Sequence, residues 1–150
     1  MTEPEDLALT LPPAPKAIGN YKTIVVVDSM AYLSGHGPLR PDKTLTTGRL
    51  GDDLDIDAGY DAARATGLAM LATLRDHLGS LDRVERLVKL FGLVRCTPDF
   101  TDQPAVINGA SDLFAKVFGD DAGVAARSAV GATSLPVGMC VEIEAIFRVR

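Results

Sequence analysis

The chain has 150 residues, 47% hydrophobic and 23% charged, with a formal net charge of −5 and two cysteines. That length suits a single domain burying roughly two-thirds of the surface its unfolded chain exposes, and no apolar run approaches the ~20 residues that span a bilayer. The acidic balance, with dispersed lysines and no basic stripe, disfavours nucleic acid, whose binding sets several Lys or Arg against phosphates.

Met1-Thr2-Glu3-Pro4-Glu5-Asp6 is acidic where a secretory signal is basic and then apolar, so a cytoplasmic location is expected. Residues 1–20 read as an arm, because Leu11-Pro12-Pro13-Ala14-Pro15 forbids helix and sheet interior alike. Thr23 to Val27 is a β-branched strand, Asp28-Ser29 a turn, and Ala31-Tyr32-Leu33-Ser34 a returning strand. Gly35-His36-Gly37-Pro38 ends it in a loop where backbone can lie close to a ligand. Arg40 to Asp55 is polar and Gly-rich, a surface loop with an extended piece at Leu45-Thr46-Thr47.

Asp55 or Asp57 can cap the helix that follows, whose apolar stripe runs from Tyr60 through Ala63, Gly67, Met70, Leu71 and Leu74 to Leu78, with Gly79 as its stop. His77 near its end reads as a surface residue. Arg86 to Arg95 is a strand apolar on both faces, hence covered on both. Cys96-Thr97-Pro98-Asp99-Phe100 breaks it. A second helix follows, with Asp102 as cap, Pro104 in its first turn, a stripe from Ile107 to Phe118, and Gly119 closing it. After a loop at Asp120–Val124, the strand Ala126–Val130 and a turn at Leu135-Pro136-Val137-Gly138 lead into Val141-Glu142-Ile143-Glu144-Ala145-Ile146. The turn suggests that these last two strands pair or lie close.

The order ββ-α-β-α-ββ is an α+β fold, a mixed sheet of about five to six strands with two helices on one face, in one domain spanning 1–150. Two helices cover one face only, so the other needs a partner, and a homo-oligomer burying sheet against sheet is expected. Alternation puts Arg127 on the face of Ala129 and Gly131, two small residues that leave room beside a guanidinium. An Arg and a Glu at the mouth of one sheet could hold a carboxylate and a water side by side. Cys96 and Cys140 are far apart, with no CxxC and no His cluster, and read as reduced apolar residues; no metal or cofactor is expected.

Six segments resemble the RidA/YjgF reactive-intermediate deaminase family in order and spacing: Ile18-Gly19-Asn20-Tyr21, Ser34-Gly35-His36-Gly37-Pro38, Val106-Ile107-Asn108, Ala126-Arg127-Ser128-Ala129-Val130, Leu135-Pro136 and Val141–Ile146. The Arg40–Asp55 loop and the Gly92–Gln103 stretch look most like its longer, chorismate-mutase-like subgroup. The resemblance implies a trimeric barrel with clefts between subunits. It also implies hydrolysis of small enamines and imines (2-imino acids) to 2-keto acid and ammonia. A non-catalytic, small-carboxylate-binding regulatory trimer is the alternative, and an endoribonuclease a distant third. By the resemblance, Arg127 binds the carboxylate and Glu144 handles the attacking water. Tyr21 walls the cleft, Ser34, Gly35 and His36 border the substrate, and Asn108 is a binding or structural helix residue. The chain departs from the common pattern at Ala129, where many members have Cys, and at His36, where short members have Gln.

Overall fold

The computed structural model describes residues 9–150; the acidic opening Met1–Asp6 lies outside the described residues. Strand β1 (Ile24–Val27) turns through Asp28-Ser29 into β2 (Met30–His36), and Asp28 takes the left-handed conformation (φ 54°) that Asp tolerates in tight turns. Helix α1 (Ile56–Leu78), strand β3 (Val84–Arg95), helix α2 (Gln103–Phe118), β4 (Ala126–Ala132) and β5 (Val141–Val149) follow. Of the two candidate caps Asp55 is the one used: its side chain accepts from the N–H of Ala58, and Gly79 closes α1 with φ 88°. Asp102 sits at the cap position of α2 but makes no capping bond there.

The sheet order is β1-β2-β5-β3-β4, antiparallel throughout except for the parallel β3–β4 pair. This corrects the expectation that β4 and β5 pair or lie close. Helix α2 returns the chain to run β4 parallel beside β3, as a helical crossover requires. The chain then passes to the other side of β3, so Leu135–Gly138 joins two strands with a third between them.

The helices pack on one face. Ala31, Leu33, Leu87, Leu90, Val94, Ile143, Ala145 and Phe147 point into that layer and are buried. Two glycines set how closely it closes. A Cβ on Gly109 of α2 would stand 3.0 Å from the Arg64 amide nitrogen and collide with the Tyr60 carbonyl, so the helices touch backbone to backbone. Gly92 of β3 leaves the space that Ile107 fills. The opposite face has no helix over it and remains apolar in part: Val25 (45% exposed), Tyr32 (46%) and Val130 (41%) lie there with half-buried Phe91, Leu93 and Ile146.

Candidate active site

Strand β2 holds the feature that shapes the site. Leu33 pairs with Ala145 and His36 with Ile143, so Ser34 and Gly35 together oppose the single residue Glu144. Simple alternation would put His36 on the face of Ser34. The extra residue of this β-bulge turns it over to the helix side. There His36 is 4% exposed, with Nδ1 at 2.7 Å from the Ser34 carbonyl and Nε2 at 2.8 Å from Thr73 Oγ1. A carbonyl only accepts, so Nδ1 carries the proton and neutral Nε2 accepts from the threonine hydroxyl. Burial pushes the His36 pKa below its ordinary value, while the Ser34 carbonyl opposes that shift. His36 borders the groove but is a neutral internal brace of the bulge.

The bulge borders a groove of about 910 Å³. The arm residues Pro13–Tyr21 make one bank, the Leu39–Leu45 loop and the Pro136–Met139 turn the others, and Glu142 and Glu144 project into it from β5. Glu142 lies directly over Gly35: a Cβ there would come 2.8 Å from the carboxyl carbon. Burial, and then the charge of Glu144, push the Glu142 carboxyl pKa above the usual value. The Tyr21 ring walls the groove and its hydroxyl accepts from the Ile18 N–H at 3.3 Å. Ser34 Oγ is spent on the Lys22 carbonyl at 2.6 Å, which ties the bulge to the segment that leads into β1.

Arg127 is elsewhere. It pairs with Leu90 and so faces the helices, on edge strand β4, and its Nη1 donates to Asn108 Oδ1 (2.8 Å) and Ser111 Oγ (3.0 Å) of α2. Glu144 pairs with Phe91 on the other face, with β3 between the two strands. Within one chain, Arg127 and Glu144 therefore do not sit side by side as the sequence suggested. Strand alternation fixes the face of each residue, but which strands are neighbours decides what meets. The described residues thus carry two separate constellations: an acidic groove (Tyr21, Ser34, Gly35, Glu142, Glu144) and a guanidinium with its amide partner (Arg127, Asn108). Sequence reasoning passed over Glu142, although Glu142 and Glu144 alternate onto one face, and over Leu45 and Met139 along the groove.

Among the described residues no group of three His, Cys, Asp or Glu could hold a metal ion, and no helix is long and apolar enough to cross a membrane. Burial pushes the Cys140 thiol up to about 11, too high for a nucleophile at neutral pH.

A family profile described as "YjgF/chorismate mutase-like, putative endoribonuclease" matches residues 6–145. The chain belongs to this YjgF/chorismate mutase-like family. It is 41% identical over 140 residues to protein TCP17 of Trypanosoma cruzi, covering 93% of this chain and 88% of that one. Among solved structures it resembles protein Atu1372 of Agrobacterium tumefaciens (TM-score 0.89, 38% identity, 97% of this chain and 89% of that one). It also resembles E. coli TdcF with bound serine (TM-score 0.63, 26% identity, 91% and 93%). The YjgF assignment agrees with the α+β architecture of two helices on a five-strand mixed sheet.

Proposed function

We propose that the chain is a cytoplasmic hydrolytic deaminase of small 2-imino acids and their enamine tautomers, acting as a homotrimer whose sites lie between subunits. The observation that supports this reading is a groove floored by a bulge and holding two carboxylates, one with a raised pKa, while the guanidinium of Arg127 lies apart from it on an edge strand. Each chain then supplies half a site. The partly apolar open face is the surface through which copies would meet, and serine in TdcF, a small amino acid carrying a carboxylate, is the ligand class the arginine suits.

In the assembled cleft Arg127, steadied by Asn108 and Ser111, grips the substrate carboxylate with its guanidinium fork. The C=N carbon then lies over the Ser34-Gly35 backbone. Glu142, whose raised pKa brings it nearer neutrality, takes a proton from water as the oxygen bonds to that carbon, and the imine nitrogen gains a proton. That nitrogen proton is the one Glu142 took from water; Glu142 next draws off the proton of the new hydroxyl and passes it to the amine, so that the C=O forms as the C–N bond breaks. The balance is R–C(=NH)–COO⁻ plus H₂O giving R–C(=O)–COO⁻ plus NH₃. Glu144, more exposed, holds the charge balance and the water position beside it. Two carboxylates and a net charge of −5 make RNA a poor occupant of the same groove.

Mixed oligomers test both the chemistry and the shared site. Arg127→Ala and Glu142→Gln should each slow keto-acid release from imine generated in situ by about 10²-fold or more. The two impaired proteins, refolded together in equal amounts, should regain activity in about a quarter of sites, since each site then draws its halves at random. No recovery would refute a site between subunits. Persistent keto-acid binding with no turnover, unaffected by Glu142→Gln, would favour a regulatory binding protein.

A further inference from the structure

Two opposite charges share one face of the sheet without meeting. Leu93 of β3 pairs with Glu142 of β5, and paired residues share a face, so Arg95, two positions on, lies on the face of Glu142. Their α-carbons are then diagonal neighbours, about 7–8 Å apart and within reach of long side chains. In the structure the two lean away from each other. Glu142 tilts over Gly35, and among the described residues its half-buried carboxylate accepts no hydrogen bond and touches no cation. Arg95 points to Gly48, whose carbonyl accepts from Nη1 at a long 3.3 Å. Its Nε is the one buried side-chain nitrogen or oxygen among the described residues that bonds to nothing. A buried donor without an acceptor is costly and rare, which asks for a second position of the side chain in which the donor is met.

The other groups near Glu142 leave it the natural acceptor. Glu144 on the same strand is a like charge, and His36 of β2 is neutral and turned to the other side of the bulge. Tyr21 borders the groove, while Lys16 of the arm and Lys43 of the Leu39–Leu45 loop are exposed rim groups. Asp53 is the competing acid for the guanidinium, because a Cβ on Gly48 would stand 2.9 Å from its Oδ2.

We propose that Arg95 is a positioning residue whose guanidinium leaves the Gly48 carbonyl, closes on the Glu142 carboxylate and keeps it charged and aimed into the groove. The purpose of the pair rests on the deaminase reading, since a carboxylate that takes a proton from water must first be without one. Burial and Glu144 push the Glu142 pKa up, and a guanidinium alongside limits that rise.

Carboxyl-carbon NMR of glutamate-labelled protein without substrate follows Glu142, assigned by the signal that Glu142→Gln removes. Arg95→Met, which keeps the length and loses the charge, should raise the Glu142 midpoint by about one pH unit or more, and Arg95→Lys should restore most of it. In turnover the acid limb of the kcat profile should move with that midpoint while KM changes little. A mere brace of Gly48 would lower Tm and move neither; that result, or a shift at Asp53 in place of Glu142, overturns the inference. Should Arg95→Met fail to fold, the parent decides: the Arg95 Nε–H resonance should shift through the Glu142 midpoint, and an independent midpoint overturns the pair. Coupled titration in a protein that turns over no imine leaves the pair standing and removes the deaminase reading. Turnover with uncoupled titration does the reverse.

Discussion

Thr73→Val removes one hydroxyl from the brace behind the site. Valine fills the same volume, so no cavity opens, but His36 Nε2 loses the donor that lies 2.8 Å away. Both residues are nearly inaccessible, Thr73 at 3% and His36 at 4%, so no water replaces the lost bond. A buried acceptor left unpaired costs about 1–3 kcal/mol, which for a chain of this length lowers Tm by roughly 3–9 °C. The damage should also reach the groove, because the His36 ring and its bond to the Ser34 carbonyl hold the bulge under Glu142 and Glu144; KM should rise more than stability alone explains. The pH dependence has a definite sign. Burial lowers the folded pKa of His36 below the unfolded value near 6.5. The unfolded chain therefore binds the extra proton first, and stability present above pH 6.5 is lost as pH falls towards the folded pKa. Thermal melts at fixed protein concentration, from pH 5 to 8, read both effects. A variant melting within about 1 °C of the parent, or a parent whose Tm does not fall below pH 6.5, would refute the buried neutral brace.

Glu142→Gln should lower kcat by about 10²–10⁴ yet raise Tm near pH 7. A carboxyl whose folded pKa is raised supports the fold below its unfolded pKa of about 4.5 and loses that support as pH rises through the folded value. The thermal gain should accordingly vanish in acid, and a loss of Tm at pH 7 would contradict it. Gly109→Ala gains up to about 1 kcal/mol of helix propensity but drives a methyl into the backbone of α1, and a net loss of about 1–3 kcal/mol is expected in urea unfolding. Tyr32→Asp places a charge in the middle of the open face. Sedimentation should show dissociation to monomers, and catalysis should vanish with it; an active monomer would defeat the shared-site mechanism.

The sequence makes the local structure legible, and less so what meets what. The stripe from Ala63 to Leu78 announces α1, the run of Leu and Val in β3 its place inside the sheet rather than at an edge, and the alternation in Val141–Val149 which side of β5 is buried. Local patterns carry no information on strand order. Leu135–Gly138 looks like a hairpin turn, yet β3 lies between the strands it joins, and Arg127 therefore faces α2 rather than Glu144. The bulge was hidden for a related reason: Ser34-Gly35-His36 reads as a strand running into a loop. One extra residue against β5 decides whether the imidazole meets solvent or Thr73. Of the site, Tyr21, Ser34, Gly35 and Glu144 were legible as neighbours, while the greater burial of Glu142 depends on Gly35 lying beneath it.

The strand at the heart of the sheet, β5, comes after every other element in the chain, and β2, one of its neighbours, is made more than a hundred residues before it. On a ribosome the hairpin β1–β2 and the unit β3-α2-β4 are complete while the slot between them is still empty. Two unsatisfied sheet edges and half a core must wait for residues 141–149 to arrive. The growing chain is therefore exposed to aggregation until its last strand is inserted, and that final insertion is also the step that delivers Glu142 and Glu144 to the groove.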